Sequence, residues 1–229
     1  MNQSETRATS YTTIGAGVVH ELEIKRSRFI TYLRRVETEQ EARDLVAELR
    51  RSHFDARHHC TAFVLGADRD VQRSNDDGEP SGTAGAPMLE ALTRRETHDG
   101  GADLSDVAAV VVRYFGGVLL GAGGLVRAYS ESVSAALDEA RLVRRQRMRR
   151  YDVVAEMTIA PRLENDLRTS GYQVLGTDYS PGPDGQVRAG IRVALADAAD
   201  VEEAFSAYLA SHTAGGASWQ RGETEWVDL

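Results

Sequence analysis

The chain has almost no lysine, a single cysteine and no apolar run long enough to cross a membrane. Lys25 is the only lysine, so nearly all of the positive charge is guanidinium. Cys60 is the only cysteine, which excludes an intrachain disulfide and fits a reducing compartment. Residues 1–13 lack the apolar core of a secretory signal. We therefore predict a cytoplasmic protein with no membrane partner.

Positive charge is concentrated in two short segments of an acidic chain. The net charge of −8 argues against a dedicated duplex-DNA binder. Residues 141–150 hold six arginines and no acid. Such a run can bind a phosphate backbone, or it can be a solvated linker that pairs with acids of the flanking units. Both interpretations stay open for this run, and also for the cluster Lys25, Arg26 and Arg28.

The pattern of apolar residues predicts two domains. Residues 13–143 show strands at 17–24 and 28–36, a capping-box helix from Thr38, a hairpin over 60–75, a buried strand at 107–112 and a long helix. Residues 151–229 show the order βαββαβ of a ferredoxin-like domain, with Asp197 capping its second helix. We predict a flexible tail over residues 1–12 and an Arg-rich linker over residues 144–150.

Two glycine-rich loops, residues 75–85 (NDDGEPSGTAG) and 116–124 (GGVLLGAGG), each run into a predicted helix. Backbone N–H groups at a helix start suit an anion. The second loop is neither a Rossmann fingerprint nor a P-loop, since no third glycine and no Gly-Lys-Ser/Thr follow. Its glycines indicate either an anion or nucleic-acid site or only positive φ and tight packing.

Acidic and nucleophilic side chains suggest a second kind of site. Asp76, Asp77 and Glu79 are consistent with a divalent cation or an acid/base pair, but turn chemistry is the favoured interpretation. His58 and Cys60 share one face of a strand and His59 the other. Zinc would need further ligands and catalysis a third, orienting group, so a satisfied strand is favoured. We predict no metal and no cofactor.

Three long motifs resemble the YigZ/Impact family: residues 56–60 (ARHHC), 76–85 (DDGEPSGTAG) and 111–129 (VVRYFGGVLLGAGGLVRAY). The resemblance covers essentially the whole chain and implies an α+β protein. Its first domain would have the ribosomal-protein-like βαβ fold, also found in elongation factor G domain IV and in GHMP kinases. The second would be ferredoxin-like, as in domain V of that factor. Eukaryotic relatives regulate translation, partly through an RWD domain that this chain lacks.

The resemblance favours a non-enzymatic regulator of translation that binds RNA or the ribosome. The first alternative is an enzyme or small-molecule binder with a phosphate site in the glycine-rich loop, and the second is a protein-interaction module. The candidate nucleic-acid or anion contacts are Lys25, Arg26, Arg28, Arg113, Gly121, Gly123, Gly124, Arg127, Arg144, Arg145 and Arg147. In the enzyme alternative the candidate pocket residues, expected to converge near Arg113, are His59, Cys60, Asp76, Asp77, Glu79, Ser81 and Thr83.

Overall fold

The computed structural model describes residues 8–181 and 186–229. The chain is mixed α/β and divides into two compact units, Met1–Arg145 with Leu229 and Gln146–Asp228. The strands are β1 Ser10–Ile14, β2 Val18–Ile24, β3 Ser27–Arg35, β4 His58–Leu65, β5 Val71–Asn75, β6 Val107–Tyr114, β7 Leu142–Glu156, β8 Gln173–Pro181, β9 Val187–Ala196 and β10 Ala217–Asp228. The helices are α1 Glu39–Ser52, α2 Gly85–Thr93, α3 Ala122–Glu139, α4 Ala160–Thr169 and α5 Ala199–Thr213, with a 3-10 turn at His98–Gly100.

The first unit is built on an antiparallel sheet of order β2-β3-β6-β4-β5. The predicted buried strand is β6, at its centre, and residues 107–113 are all buried. Alternate β6 residues point to opposite faces, so Val110 packs with α1 while Val111 packs with α2 and α3. The capping box at the start of α1 is confirmed: Glu41 N–H donates to Thr38 Oγ1 at 3.2 Å, and Glu41 Oε2 accepts from Thr38 N–H at 3.1 Å.

The second unit has the predicted order βαββαβ, formed by β7, α4, β8, β9, α5 and β10. Its sheet runs β10-β7-β9-β8, and both helices pack apolar residues on it, Leu163 and Leu167 from α4 and Phe205 and Leu209 from α5. Pro161 lies in the first turn of α4, and Gly171 follows the helix with φ of +84°, positions that suit these two residue types.

Three boundary predictions need correction. The tail is shorter than predicted, because Ser10–Ile14 form β1 and Tyr11 is buried; residues 1–7 lie outside the described part. Residues 144–150 do not form a separate linker but lie within β7. Asp197 does not cap α5, whose N-cap is Ala198. Its carboxylate instead accepts hydrogen bonds from arginines of β7.

Candidate functional site

The loop before α2 is held together by the carboxylate of Asp76. It accepts backbone N–H bonds from Gly82 at 2.8 Å, Ala84 at 3.0 Å and Gly85 at 2.7 Å. Burial alone would raise the pKa of Asp76, but these three bonds lower it below its usual value. The carboxylate thus satisfies N–H groups at the start of α2. This is the turn chemistry favoured from the sequence.

Asp77 connects the same loop to β4 and α1. Its carboxylate accepts the His59 backbone N–H at 2.6 Å and the Arg50 guanidinium at 2.5 Å. Its backbone carbonyl lies 2.8 Å from His58 Nδ1. Within residues 8–181 and 186–229, no three His, Cys, Asp or Glu side chains are placed to hold a metal ion.

The rest of the loop is also held by internal contacts. Thr83 donates its hydroxyl to the Pro80 carbonyl at 2.6 Å and is buried, whereas Ser81 is exposed. The acidic loop therefore connects β4, α1 and the start of α2 through hydrogen bonds of Asp76 and Asp77.

A buried polar network lies between the sheet and α3. Glu79 Oε1 accepts from Arg113 Nη1 at 2.5 Å and from the Tyr129 hydroxyl at 2.8 Å. The second Arg113 amino group lies 3.4 Å from Ser27 Oγ, which also accepts the Gly116 N–H at 3.2 Å. Arg113 is therefore buried and paired within the first unit, and it is not the exposed nucleic-acid contact predicted from the sequence.

Cys60 belongs to this network and not to a catalytic pair. Its Sγ lies 3.3 Å from Tyr129 Oη and 3.0 Å from the Asp76 carbonyl. Burial raises the pKa of the Cys60 thiol to about 12, so it is not a thiolate at neutral pH. His59 lies on the opposite face of β4, as its place in the strand predicts. The expected convergence of His59, Cys60 and Arg113 on one pocket is therefore wrong.

A cleft of about 320 Å³ opens at the end of the first unit's sheet, and we call it the sheet-end cleft. It is lined by Arg57, His58, Glu79, Pro80, Arg113, Phe115, Leu119, Leu120, Gly121, Ala122 and Leu125. Phe115 and Leu119 are exposed at its mouth. Sequence reasoning did not assign Arg57, Phe115 or Leu119 to the site, although all three lie in or beside the motifs.

Helix α3 begins at this cleft without a capping side chain. Gly121 is its N-cap with φ of +72°, a conformation that favours glycine. Gly116 is required for a different reason, because a Cβ there would lie 2.0 Å from the Arg26 backbone. Gly124 has Leu120 at 3.0 Å, but a Cβ on Gly123 would meet nothing within 4 Å. Close packing therefore explains Gly116 and Gly124, and positive φ explains Gly117 and Gly121, but neither explains Gly123.

Three exposed cations border the cleft and its adjoining turn. Lys25 and Arg26 form the β2–β3 turn, with φ of 47° and 66°, and the close approach of Gly116 joins this turn to the loop over residues 115–121. Within the described part of the chain, Lys25, Arg26 and Arg57 have no acidic partner. The same is true of Arg127 in α3. Arg28, by contrast, makes a bidentate pair with Glu21 at 2.7 and 2.9 Å.

The arginines of β7 were predicted to contact phosphate, but three of them pair with acids of the protein. Arg145 is buried and lies 2.8 Å from Glu37 and 3.5 Å from Asp106. Arg147 and Arg149 both pair with Asp197, at 3.0 and 2.7 Å. Pairing with acids, the alternative left open from the sequence, describes these side chains. Arg144, the other predicted contact in this run, lies 3.4 Å from Ser10 Oγ.

The structure thus defines a two-unit α/β protein with an open, cation-bordered cleft at one end of its first sheet. The family model described as "Impact N-terminal domain" matches residues 25–137. IMPACT family member YvyE of Bacillus subtilis is 40% identical over 223 residues, covering 96% of this chain and 94% of its own. IMPACT family member YigZ of Escherichia coli is 42% identical over 195 residues, covering 84% and 88%. The chain belongs to the IMPACT family, which confirms the resemblance seen in its motifs.

A solved structure is similar to this chain over most of its length. The crystal structure of a hypothetical protein is 38% identical, has a TM-score of 0.59 and covers 95% of this chain and 98% of its own. Within the described part of the chain, no helix has the length and apolar character needed to span a bilayer.

Proposed function

We propose that this protein binds single-stranded RNA, on the ribosome or free, through the sheet-end cleft and the adjoining β2–β3 turn, and that it modulates translation without catalysis. One observation carries the proposal: Lys25, Arg26 and Arg57 are exposed cations without acidic partners among the residues that the structure describes, and they lie beside the exposed ring of Phe115. Proteins that bind single strands combine backbone-tracking cations with aromatic rings on which bases stack. A cytoplasmic site of action belongs to this proposal, because ribosomes are there.

Family membership and domain order support the proposal at a coarser level. The resemblance to regulators of translation motivates the choice of RNA over other anions. The proposed likeness of the two units to domains IV and V of elongation factor G is consistent with the βαββαβ order of the second unit. Fold likeness is a weak guide to function by itself, so the exposed cations carry the argument.

The test is the salt dependence of binding. A labelled short single-stranded RNA is titrated with the full chain between about 50 and 200 mM salt, and ribosome binding is followed by sedimentation. The triple variant Lys25→Ala, Arg26→Ala, Arg57→Ala should bind more weakly at low salt. Its slope of log affinity against log salt should fall by about 2, since each lost phosphate contact to a single strand contributes about 0.7.

A matched control removes the same charge elsewhere. Arg34, Arg94 and Arg162 are exposed and each pairs with an acid on its own unit. Their combined replacement by alanine should leave the slope unchanged. Equal losses in both triple variants would show that net charge alone matters, and no RNA or ribosome binding at low salt would refute the proposal.

A second candidate function is binding of a small phosphorylated ligand in the sheet-end cleft. The position of Gly123 favours it. Its N–H lies in the uncapped first turn of α3, and no neighbour explains the missing side chain. A bound phosphate ester should raise the melting temperature by mass action, and Gly123→Val should abolish the rise. No rise with a panel of sugar and nucleoside phosphates would exclude this candidate.

A further inference from the structure

A second cavity lies on the other face of the first unit's sheet, under α1. It has a volume of about 360 Å³, and we call it the α1 groove. Its wall is formed by Ala42 and Val46 of α1, and its floor by Phe63 of β4 with Ala108 and Val110 of β6. Phe63 stands opposite Ala108 in the sheet, so a large ring lies beside a small side chain. The groove is apolar at its centre and within the usual size range of small-molecule sites.

One polar atom at the end of the groove lacks a partner. His59 lines the groove, and its side chain is only 6% exposed. Its Nε2 is buried without a hydrogen-bond partner among the described residues, and leaving such an atom unpaired is costly. Burial lowers the pKa of His59, so its ring is neutral at pH 7 and can form a hydrogen bond without adding charge.

Three arginines line the groove: Arg43 pairs with Glu39 and Arg50 with Asp77, whereas Arg73 lies at the end away from His59. Arg73 stands opposite Phe63 on the edge strand β5 and is exposed. It donates to the Gln72 carbonyl, and within residues 8–181 and 186–229 it has no carboxylate partner. Phe63 lies four positions after His59 in β4, which is about 13 Å along a strand. His59 and Arg73 both line the groove, and this span suits a two-ring molecule with a polar group at each end.

We propose that the α1 groove binds a small aromatic carboxylate, with its rings against Phe63 and Ala108, its carboxylate on Arg73 and a polar ring substituent on His59 Nε2. Arginine suits a carboxylate because its planar donors match the two oxygens. The groove lies on the opposite face of the sheet from the Cys60–Tyr129 network. It shares no lining residue with the sheet-end cleft, so the two proposals can fail separately.

The probe is 6-hydroxy-2-naphthoate, whose fluorescence anisotropy is followed as the full chain is added. We expect saturable binding at one site. Binding of 2-naphthoate, which lacks the hydroxyl, and of 2-naphthol, which lacks the carboxylate, should each be weaker. Arg73→Gln should weaken 6-hydroxy-2-naphthoate about tenfold, because a hydrogen bond to a charged group is lost, but should leave 2-naphthol unaffected.

Thr61→Phe supplies the steric test, since Thr61 lies between His59 and Phe63 on the same face and lines the groove. It should abolish binding while RNA affinity stays unchanged. Arg34→Gln removes the same charge as Arg73→Gln and should have no effect. If Thr61→Phe does not fold, Arg73→Gln still tests the proposal, because Arg73 is exposed. No saturable binding to the wild type, or equal binding by Arg73→Gln, would overturn the proposal.

Discussion

The two units treat buried polar groups in opposite ways. Within the described part of the chain, every buried polar or charged side chain belongs to the first unit, including Glu79, Asp106, Arg113 and Arg145. The core of the second unit is formed by apolar residues and the largely buried ring of Tyr151. Its ion pairs, such as Arg147 with Asp197, keep 24% and 14% of their side chains exposed.

This difference indicates that buried ion pairs of the first unit fix its geometry more than they raise its stability. A buried ion pair often contributes no more than a well-packed apolar pair of the same volume, because desolvation offsets the attraction. The Glu79–Arg113 pair lies directly behind the sheet-end cleft and joins β6 to the loop before α2. The pair therefore fixes part of the lining of this cleft in place.

The largest expected effect is that of Glu79→Gln. The side chains of Glu79 and Arg113 are 4% and 7% exposed, so the variant leaves a buried guanidinium without its counter-charge. We expect the first unit to lose about 3–5 kcal/mol. Both tryptophans, Trp219 and Trp226, lie in the second unit. In urea, the far-UV circular dichroism transition of the first unit should therefore shift while the tryptophan fluorescence midpoint stays.

Asp197→Asn is the matched change in the second unit. Its arginine partners reach water, so we expect a loss of only about 1 kcal/mol, visible in tryptophan fluorescence. If Glu79→Gln moved both transitions together, the two units would not unfold separately and the comparison would fail.

Alkaline pH should lower the stability of the two units to different extents, with a smaller effect than the Glu79 substitution. Burial raises the pKa of Cys60 from 9.0 to about 12. The folded first unit keeps this proton when the unfolded chain has lost it, so its stability is unaffected below pH 9 and falls as pH rises from 9 towards 12. The slope is about 1 kcal/mol per pH unit. In the second unit, burial raises the pKa of Tyr151 from 10.0 to about 12. The stability of that unit should therefore fall only above pH 10.

The window between pH 9 and 10 is therefore the diagnostic one. Urea midpoints measured there should fall for the first unit alone. Cys60→Ala should remove that slope, since it removes the titrating group. An unchanged slope in this variant would mean that another group is responsible.

The regular elements could be predicted because each depends on local sequence. The capping box at Thr38, the apolar run of β6 and the alternation of β7 fix helices and strands through short-range periods. The opposite orientation of His59 and Cys60 also follows from the two-residue period of a strand. These signals need no knowledge of the tertiary fold.

Charge pairing could not be predicted, because the partners are distant in sequence. Arg145, at the end of the first unit, meets Glu37 and Asp106 only in the folded unit. Aspartate is a favourable N-cap residue, yet the carboxylate of Asp197 pairs with the two β7 arginines and does not cap α5. The run of arginines therefore resembled a nucleic-acid contact, whereas the exposed Arg57 at the cleft, a single charge, gave no composition signal.

Gly123→Ala is the smallest expected change in stability and the sharpest test of what the first unit's rigidity serves. A Cβ there meets no atom within 4 Å, and alanine is favoured over glycine in a helix by up to about 1 kcal/mol. The variant should thus be unchanged or slightly more stable. Gly116→Ala, whose Cβ would lie 2.0 Å from the Arg26 backbone, should be clearly destabilised. If Gly123→Ala weakens RNA or phosphate-ester binding without loss of stability, this glycine serves close approach of a ligand to the α3 N-terminus; if binding is unchanged, the cations alone define the surface.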